Sequence, residues 1–248
     1  MAANGFALEV KRLSIVVLSA AMLCGCARAH DPTSALVRLA PSCVREGVRL
    51  TIVGDSLARG WGASAPKYAF ASLIYTDVRR TSPKATMHNL GTPGATTDEI
   101  ATVEVPYIRT GDCSLVVIIS GANDVQKLYT PHHFRVSYAE LLQKIRGRLP
   151  HGALVVMGLP DVSLSPRIPW ILKPAESWLS RDADTSIGAA AQEYGAAFVP
   201  LYALSHKEAY REKSLLSGDG LHPNDAGYRI MADNALPLVT TVLQGRSY

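Results

Sequence analysis

The sequence predicts an α/β fold, a three-layer α/β/α sandwich built on a five-stranded parallel sheet. Three observations predict it. Short apolar runs rich in β-branched residues recur along the chain, as buried strands require. Stretches with helical period separate them, which is the alternation of a parallel sheet covered on both faces. No linker of domain-separating character follows residue 45, so the alternation belongs to one domain. The chain has 248 residues, nearly half of them hydrophobic, which is ample material for such a core. The net charge of +4 is mild and no basic run is interleaved with aromatic residues, so no nucleic-acid partner is expected.

The N-terminal segment reads as an export signal rather than as part of the fold. Lys11 and Arg12 precede an apolar run from Leu13 to Leu23, followed by small residues. The run is shorter than the roughly 20 residues that span a bilayer. Two exits compete. Leu23-Cys24-Gly25-Cys26 is similar to a lipobox, in which Cys26 would carry the lipid, although Cys is unusual at its second position. Ala27-Arg28-Ala29 also suits cleavage before His30. The lipoprotein reading is preferred, and both routes export the protein to the cell envelope or the medium. The division is then a signal over 1–29, an N-terminal arm over 30–45 and the main domain over 46–248.

In the body, Leu50–Val53 is the first strand, and 65–80 reads as a helix with Pro66 in its first turn. Thr86–Leu90 is a short second strand, and 97–108 a helix interrupted by Pro106. Leu115–Ile119 is the clearest strand, apolar throughout and therefore buried on both faces. Pro131–Leu149 is an amphipathic helix whose Phe134, Tyr138, Leu141, Leu142 and Ile145 fall at helical spacing. Ala153–Met157 is the fourth strand. Ser180–Tyr194 is a helix stopped by Gly195. Ala197–Leu201 is a fifth strand, placed near an edge because Pro200 cannot donate to a ladder. Asn224–Leu243 closes the chain as a helix that Pro237 should kink or end. The expected sheet is flavodoxin-like, in the order 2-1-3-4-5.

Export sets the expectation for the cysteines. Cys43 and Cys113 remain beyond the signal, an even pair in an oxidising compartment. One precedes the first strand and the other the third, which are neighbours in that order, so a disulfide is expected. His132 and His133 are adjacent and do not share a helix face. No metal site and no cofactor are expected.

Four short segments carry chemistry. The first strand ends in Gly54-Asp55-Ser56-Leu57, where open α/β sheets place their ligands. The second ends in Pro93-Gly94-Ala95-Thr96-Thr97 and the third in Gly121-Ala122-Asn123-Asp124, while Asp219-Gly220-Leu221-His222-Pro223-Asn224 lies near the C-terminus. With these four blocks, in this order, the sequence resembles the SGNH, or GDSL-type, hydrolase family over roughly residues 49–242. The resemblance implies a serine esterase with Ser56, Asp219 and His222 as catalytic residues. It assigns the oxyanion hole to the backbone N–H groups of Ser56 and Gly94 and the side-chain amide of Asn123.

The residue types suit those roles. A serine hydroxyl is a weak nucleophile and needs a base in hydrogen-bond reach. His222 can take its proton and return it to the leaving group. Asp219, three residues earlier, can fold back to fix the other ring nitrogen. Asn123 offers a neutral donor to a developing oxyanion. Asp55 and Asp124 are expected to hold their turns together. The Gly-x-Ser-x-Gly elbow of α/β-hydrolases is set aside, because here the serine follows the first strand and the acid stands three residues before the histidine.

For the substrate, the loops 125–133 and 161–178 are candidate pocket walls. Trp61, Ile168, Trp170, Ile171 and Trp178 would either line an acyl or aryl site or simply pin a long loop. The resemblance implies a substrate that is an ester of a small molecule, lipid or glycan. The family resemblance covers lipases, thioesterases, arylesterases and O-deacetylases of sugars and cell-wall polymers. An idle lipid- or glycan-binding protein on the same fold is the reading from a different class.

Overall fold

The structure is a computed structural model, and it describes residues 36–207 and 215–244. The export signal read from Lys11 to Ala29, with Cys26, lies outside those residues.

Five parallel strands form one sheet in the order β2-β1-β3-β4-β5. The chain enters through α1 (Ser42–Glu46) and β1 (Arg49–Gly54). The short α2 (Ser56–Arg59) follows, then α3 (Phe70–Thr81), β2 (Thr86–Asn89) and α4 (Thr97–Val103). β3 (Ser114–Ile119) leads into α5 (Ala122–Gln126) and the long α6 (Pro131–Arg148). β4 (Ala153–Met157), α7 (Lys173–Glu193), β5 (Ala197–Val199), α8 (Tyr202–Ser205) and α9 (Asp225–Gln244) complete it.

The apolar run of β3 explains the layering. Leu115, Val117 and Ile119 point into one core with Ile74, Val78, Tyr228 and Val239 of α3 and α9. Val116 and Ile118 point into the other with Ile100, Tyr138, Leu142 and Ile187 of α4, α6 and α7. Each of these strand residues is at most 1% exposed. Burial of such a side chain contributes about 1.5–3 kcal/mol, so one polar substitution at Val117 would cost more than a surface change anywhere on the sheet.

The helix ends show where local chemistry and packing each decide. α7 stops in the expected manner. Gly195 takes φ +61°, Gly195 N–H donates to Gln192 O and Ala196 N–H donates to Ala191 O, a Schellman closure. Its start differs from expectation. The helix begins at Lys173, seven residues before Ser180, because Pro174 sits in the first turn, where its missing N–H costs nothing. The expected helix over 65–80 is a 3₁₀ turn over Pro66–Tyr68 followed by α3. Pro237 does not end α9, which runs on to Gln244. Ala235, Val239, Val242 and Leu243 on both sides of it are buried, and their packing offsets the roughly 3 kcal/mol cost of an interior proline. β5 is one of the two edge strands, and Pro200 falls just outside it.

Cys43 and Cys113 are joined in a disulfide, with Cα atoms 5.1 Å apart and a sequence separation of 70. Chain-entropy reasoning gives a closed loop of that length about 4 kcal/mol. Cys113 immediately precedes β3, so the bridge fastens α1 to the end of the sheet away from Ser56. The arm leading to α1 is packed as well. Leu39 is 2% exposed, and its N–H donates to Val242 O.

Candidate active site

Three turns at the carboxyl ends of β1, β2 and β3, with the segment just before α9, build the site. β1 ends at Gly54, whose φ is +146°. A Cβ there would lie 1.8 Å from Ile119 O, so only glycine permits the turn. Asp55 is the N-cap of α2, its Oδ1 accepting from Leu57 N–H at 2.9 Å. Ser56 is therefore the first helical residue, buried to 9% exposure, with its hydroxyl at the sheet end.

His222 Nε2 lies 2.9 Å from Ser56 Oγ, and His222 Nδ1 lies 2.6 Å from Asp219 Oδ2. A carboxylate only accepts, so Nδ1 carries the ring proton. Nε2 of the neutral imidazole is then the acceptor facing the serine hydroxyl. Asp219 is itself fixed, since Oδ1 accepts from Leu221 N–H at 2.8 Å, His222 N–H at 3.0 Å and the Ser217 hydroxyl at 2.8 Å. Partial burial alone would raise its pKa. The His222 ring and these other donors outweigh that and hold the carboxyl well below the usual range. Trp61 meets the His222 ring edge-on, with centroids 5.6 Å apart. The sequence places Ser56, Asp219 and His222 together, and so does the structure.

The other two turns are tied to each other and to the Ser56 turn through Asn123. Thr92 O accepts from Ala95 N–H at 3.1 Å, closing a turn in which Gly94 has φ +81°. A Cβ on Gly94 would meet nothing within 4 Å, so its glycine answers to backbone conformation rather than space. Asn123 is on α5 after Gly121, and its Nδ2 donates to Ala95 O at 3.0 Å. That bond uses one of two amide hydrogens. Asp124 accepts from Thr97 N–H at 3.1 Å, which ties the third turn to the start of α4. Asp55 and Asp124 thus hold turns together, as expected.

Glu104, which sequence reasoning did not single out, belongs to this assembly. It follows α4, is 2% exposed, and its Oε2 accepts from Gly54 N–H at 2.9 Å. No local pattern around Val103-Glu104-Val105 marks it.

Burial pushes the Asp55 and Glu104 carboxyls up to about 7 and that of Asp124 up to about 6. Folded pKa values above the unfolded ones mean that the native state keeps protons that the unfolded chain has released. The stabilisation is complete below about pH 4 and is lost as pH rises to about 7. The depressed Asp219 acts in the opposite sense, but only as pH falls below about 4. The melting temperature should therefore fall between pH 5 and pH 8 and level off above. Thermal unfolding at unit pH intervals checks this, and an unchanged melting temperature would show that these carboxyls are ionised in the fold.

A cavity of about 520 Å³ opens on Ser56, Asn123 and His222. Its walls are mostly apolar, from Leu57, Val162, Leu164, Leu201, Leu215, Leu216, Leu221 and Met231. Asp161, Ser205 and His206 add a polar patch. There, His206 Nε2 is 3.0 Å from the buried Asp161 carboxyl, which also accepts from the Ser177 hydroxyl. The expected wall residues are placed elsewhere. Trp61, Trp170, Ile171 and Trp178 do not line the cavity; Trp170 is 81% exposed, so it does not pin its loop either. Loop 161–178 contributes Asp161, Val162, Leu164 and Ser165 instead, and loop 125–133 contributes only Gln126.

A parallel α/β sandwich with a Ser-His-Asp chain at the strand ends defines the class as a serine-hydrolase fold. The sequence pattern of the GDSL-like Lipase/Acylhydrolase family matches residues 52–230, and the chain belongs to that family of hydrolases. A GDSL lipase of Mycobacterium tuberculosis is 26% identical over 230 residues, 89% of this chain and 90% of its own. Among solved structures, a lipolytic G-D-S-L protein from Veillonella parvula superposes with a TM-score of 0.64 at 15% identity. It covers 78% of this chain and 99% of that one. TesA gives 0.62 at 20% identity, with 79% and 99% covered. A two-domain esterase active on acetylated mannans gives 0.61 at 20% identity, with 83% of this chain and 52% of that one covered. These structural likenesses establish the shared fold.

Proposed function

We propose that this hydrolase is an exported serine esterase cleaving medium-chain acyl esters through an acyl-enzyme intermediate. Ser56 Oγ attacks the ester carbonyl carbon while His222 Nε2 takes its proton. The negative charge moves to the carbonyl oxygen, where the donors are Ser56 N–H, Gly94 N–H and the second amide hydrogen of Asn123, which otherwise has only a 3.5 Å contact to Asp55 Oδ2. Collapse expels the alcohol, protonated by His222, and water then repeats the sequence to release the acid. Asp219 holds the ring and stabilises its cationic form.

The observation that carries the substrate reading is the largely apolar cavity that opens on Ser56. Its size falls in the roughly 300–1,000 Å³ range of small-molecule sites. An acyl chain has the right chemistry for leucine and methionine walls. Each methylene it buries contributes about 0.8 kcal/mol, or about fourfold in kcat/KM. A series of p-nitrophenyl esters should therefore rise from acetate to a maximum near six to eight carbons, on the order of what such a cavity holds, and then fall. A maximum at acetate, with turnover of acetylated xylan or peptidoglycan, would replace this reading with an O-deacetylase.

Export is supported by the charged and apolar N-terminus and by the Cys43–Cys113 disulfide. Cys26 is the proposed lipidation site. Full-length chain with an unprocessed N-terminus in the cytoplasmic fraction would overturn the export reading.

A further inference from the structure

The turns that carry Ser56 and Gly94 meet at the Gly54 peptide, beside the side-chain bonds of Asn89 to Ala58 O and of Asn123 to Ala95 O, and that peptide is held from outside the sheet. On the β2 side of β1, Ile52 O accepts from Leu90 N–H and Gly54 O accepts from Thr92 N–H, both at 2.9 Å. The Gly54 N–H does not continue this ladder. It donates to Glu104 Oε2 at 2.9 Å, from a residue 50 positions later in the chain. Thr92 in turn closes the turn of Gly94, and the next residue's carbonyl, Ala95 O, accepts from the Asn123 amide. One hydrogen-bonded path therefore runs from Glu104 through Gly54 and Thr92 to Ala95, the neighbour of Gly94, and on to Asn123.

We propose that Glu104 is a positioning residue for the oxyanion hole: by holding the Gly54 N–H, it fixes the Ser56 turn relative to the Gly94 turn. The inference rests on the proposed roles of Ser56, Gly94 and Asn123 and adds a residue that touches none of the reacting atoms. A carboxyl group at 2% exposure is an expensive way to hold the Gly54 N–H and the neighbouring Thr92. Its pKa, raised to about 7 by burial, expresses that cost. What the side chain supplies in return is reach, because α4 lies outside the sheet and no backbone carbonyl of β2 meets this donor. Oxyanion donors act only when they are placed before charge develops, and a displacement of about 1 Å costs on the order of 10²-fold.

Three variants test this. Glu104→Gln keeps an oxygen acceptor at the same reach, whereas Glu104→Asp keeps the charge but is one methylene too short. Glu104→Leu removes the acceptor. Assayed well below their melting temperatures, the Asp and Leu variants should lose about 10- to 100-fold in kcat with KM within about twofold, because the loss falls on the transition state. Glu104→Gln should remain within about threefold of the parent in kcat. Should the Leu variant not fold, the Asp variant carries the comparison. A merely structural Glu104 would lower the melting temperature and leave kcat of the folded Asp or Leu variant within about twofold of the parent, and that result overturns the proposal. Asn123→Ala, run alongside, separates the failures. A slow Asn123→Ala with fast Glu104 variants overturns this inference alone, and a fast Asn123→Ala overturns the oxyanion reading and this inference with it.

Discussion

Ser56→Ala should abolish turnover, with kcat falling by about 10⁴- to 10⁶-fold, and should leave the fold intact. The substitution removes one oxygen and with it the 2.9 Å contact to His222 Nε2. Ser56 is the first residue of α2, a position that alanine occupies without strain, and the Asp55 cap on Leu57 N–H does not depend on the hydroxyl. Loss of a nucleophile from a triad leaves only the catalysis of the remaining donors and of binding, which is why the expected loss is so large. A fluorophosphonate probe gives the same answer without a substrate. The parent should label at Ser56, and the alanine variant should not. A parent protein that does not label, although folded, would mean an idle site on this fold. A variant that retains kcat within tenfold would place the nucleophile elsewhere.

The parts of the molecule legible in the sequence are those in which a local pattern has one physical meaning. An uninterrupted five-residue run rich in β-branched residues, such as Leu115–Ile119, reads as a strand buried on both faces, and the two cores that share it bear this out. Ser56, Asp219 and His222 are legible because each stands in a short block whose neighbours set its geometry. Asp219 reaches both the His222 ring and the His222 N–H only because the two are three residues apart. Other features failed for equally physical reasons. Pro174 looks like loop chemistry, yet proline is favoured in a first helical turn. Leu215, Leu216 and Met231 line the cavity, but an apolar residue facing a cavity has the same sequence signature as one facing the core. Large aromatic residues drew attention to Trp170 and Trp178, which are exposed. Glu104 was invisible because its role depends on a contact 50 residues away and on none nearby.

Asn123→Ala should lower kcat by about 10²- to 10³-fold while KM changes little, by analogy with the removal of one side-chain oxyanion donor elsewhere. The amide already donates one hydrogen to Ala95 O at 3.0 Å, and its 3.5 Å approach to Asp55 Oδ2 is at the limit of a hydrogen bond. The first bond orients the group, and the second hydrogen is then available to a charge that exists only after Ser56 has attacked. A donor of this kind binds the transition state much more strongly than the ester, so its loss appears in kcat. Asn123→Asp should be at least as damaging. A carboxylate has no proton to donate, repels the forming oxyanion, and would face Ala95 O and the buried Asp55 carboxyl. The competing account makes Asn123 only a brace between α5 and the Gly94 turn. In that case Asn123→Ala would lose the bond to Ala95 O, lower the melting temperature by a few degrees for roughly 1 kcal/mol, and turn over ester at nearly the parental rate. Melting temperature and kcat measured on the same purified variant decide between them. A destabilised but fully active protein would remove Asn123 from the site, whereas a stable and slow one would place its amide on the oxyanion.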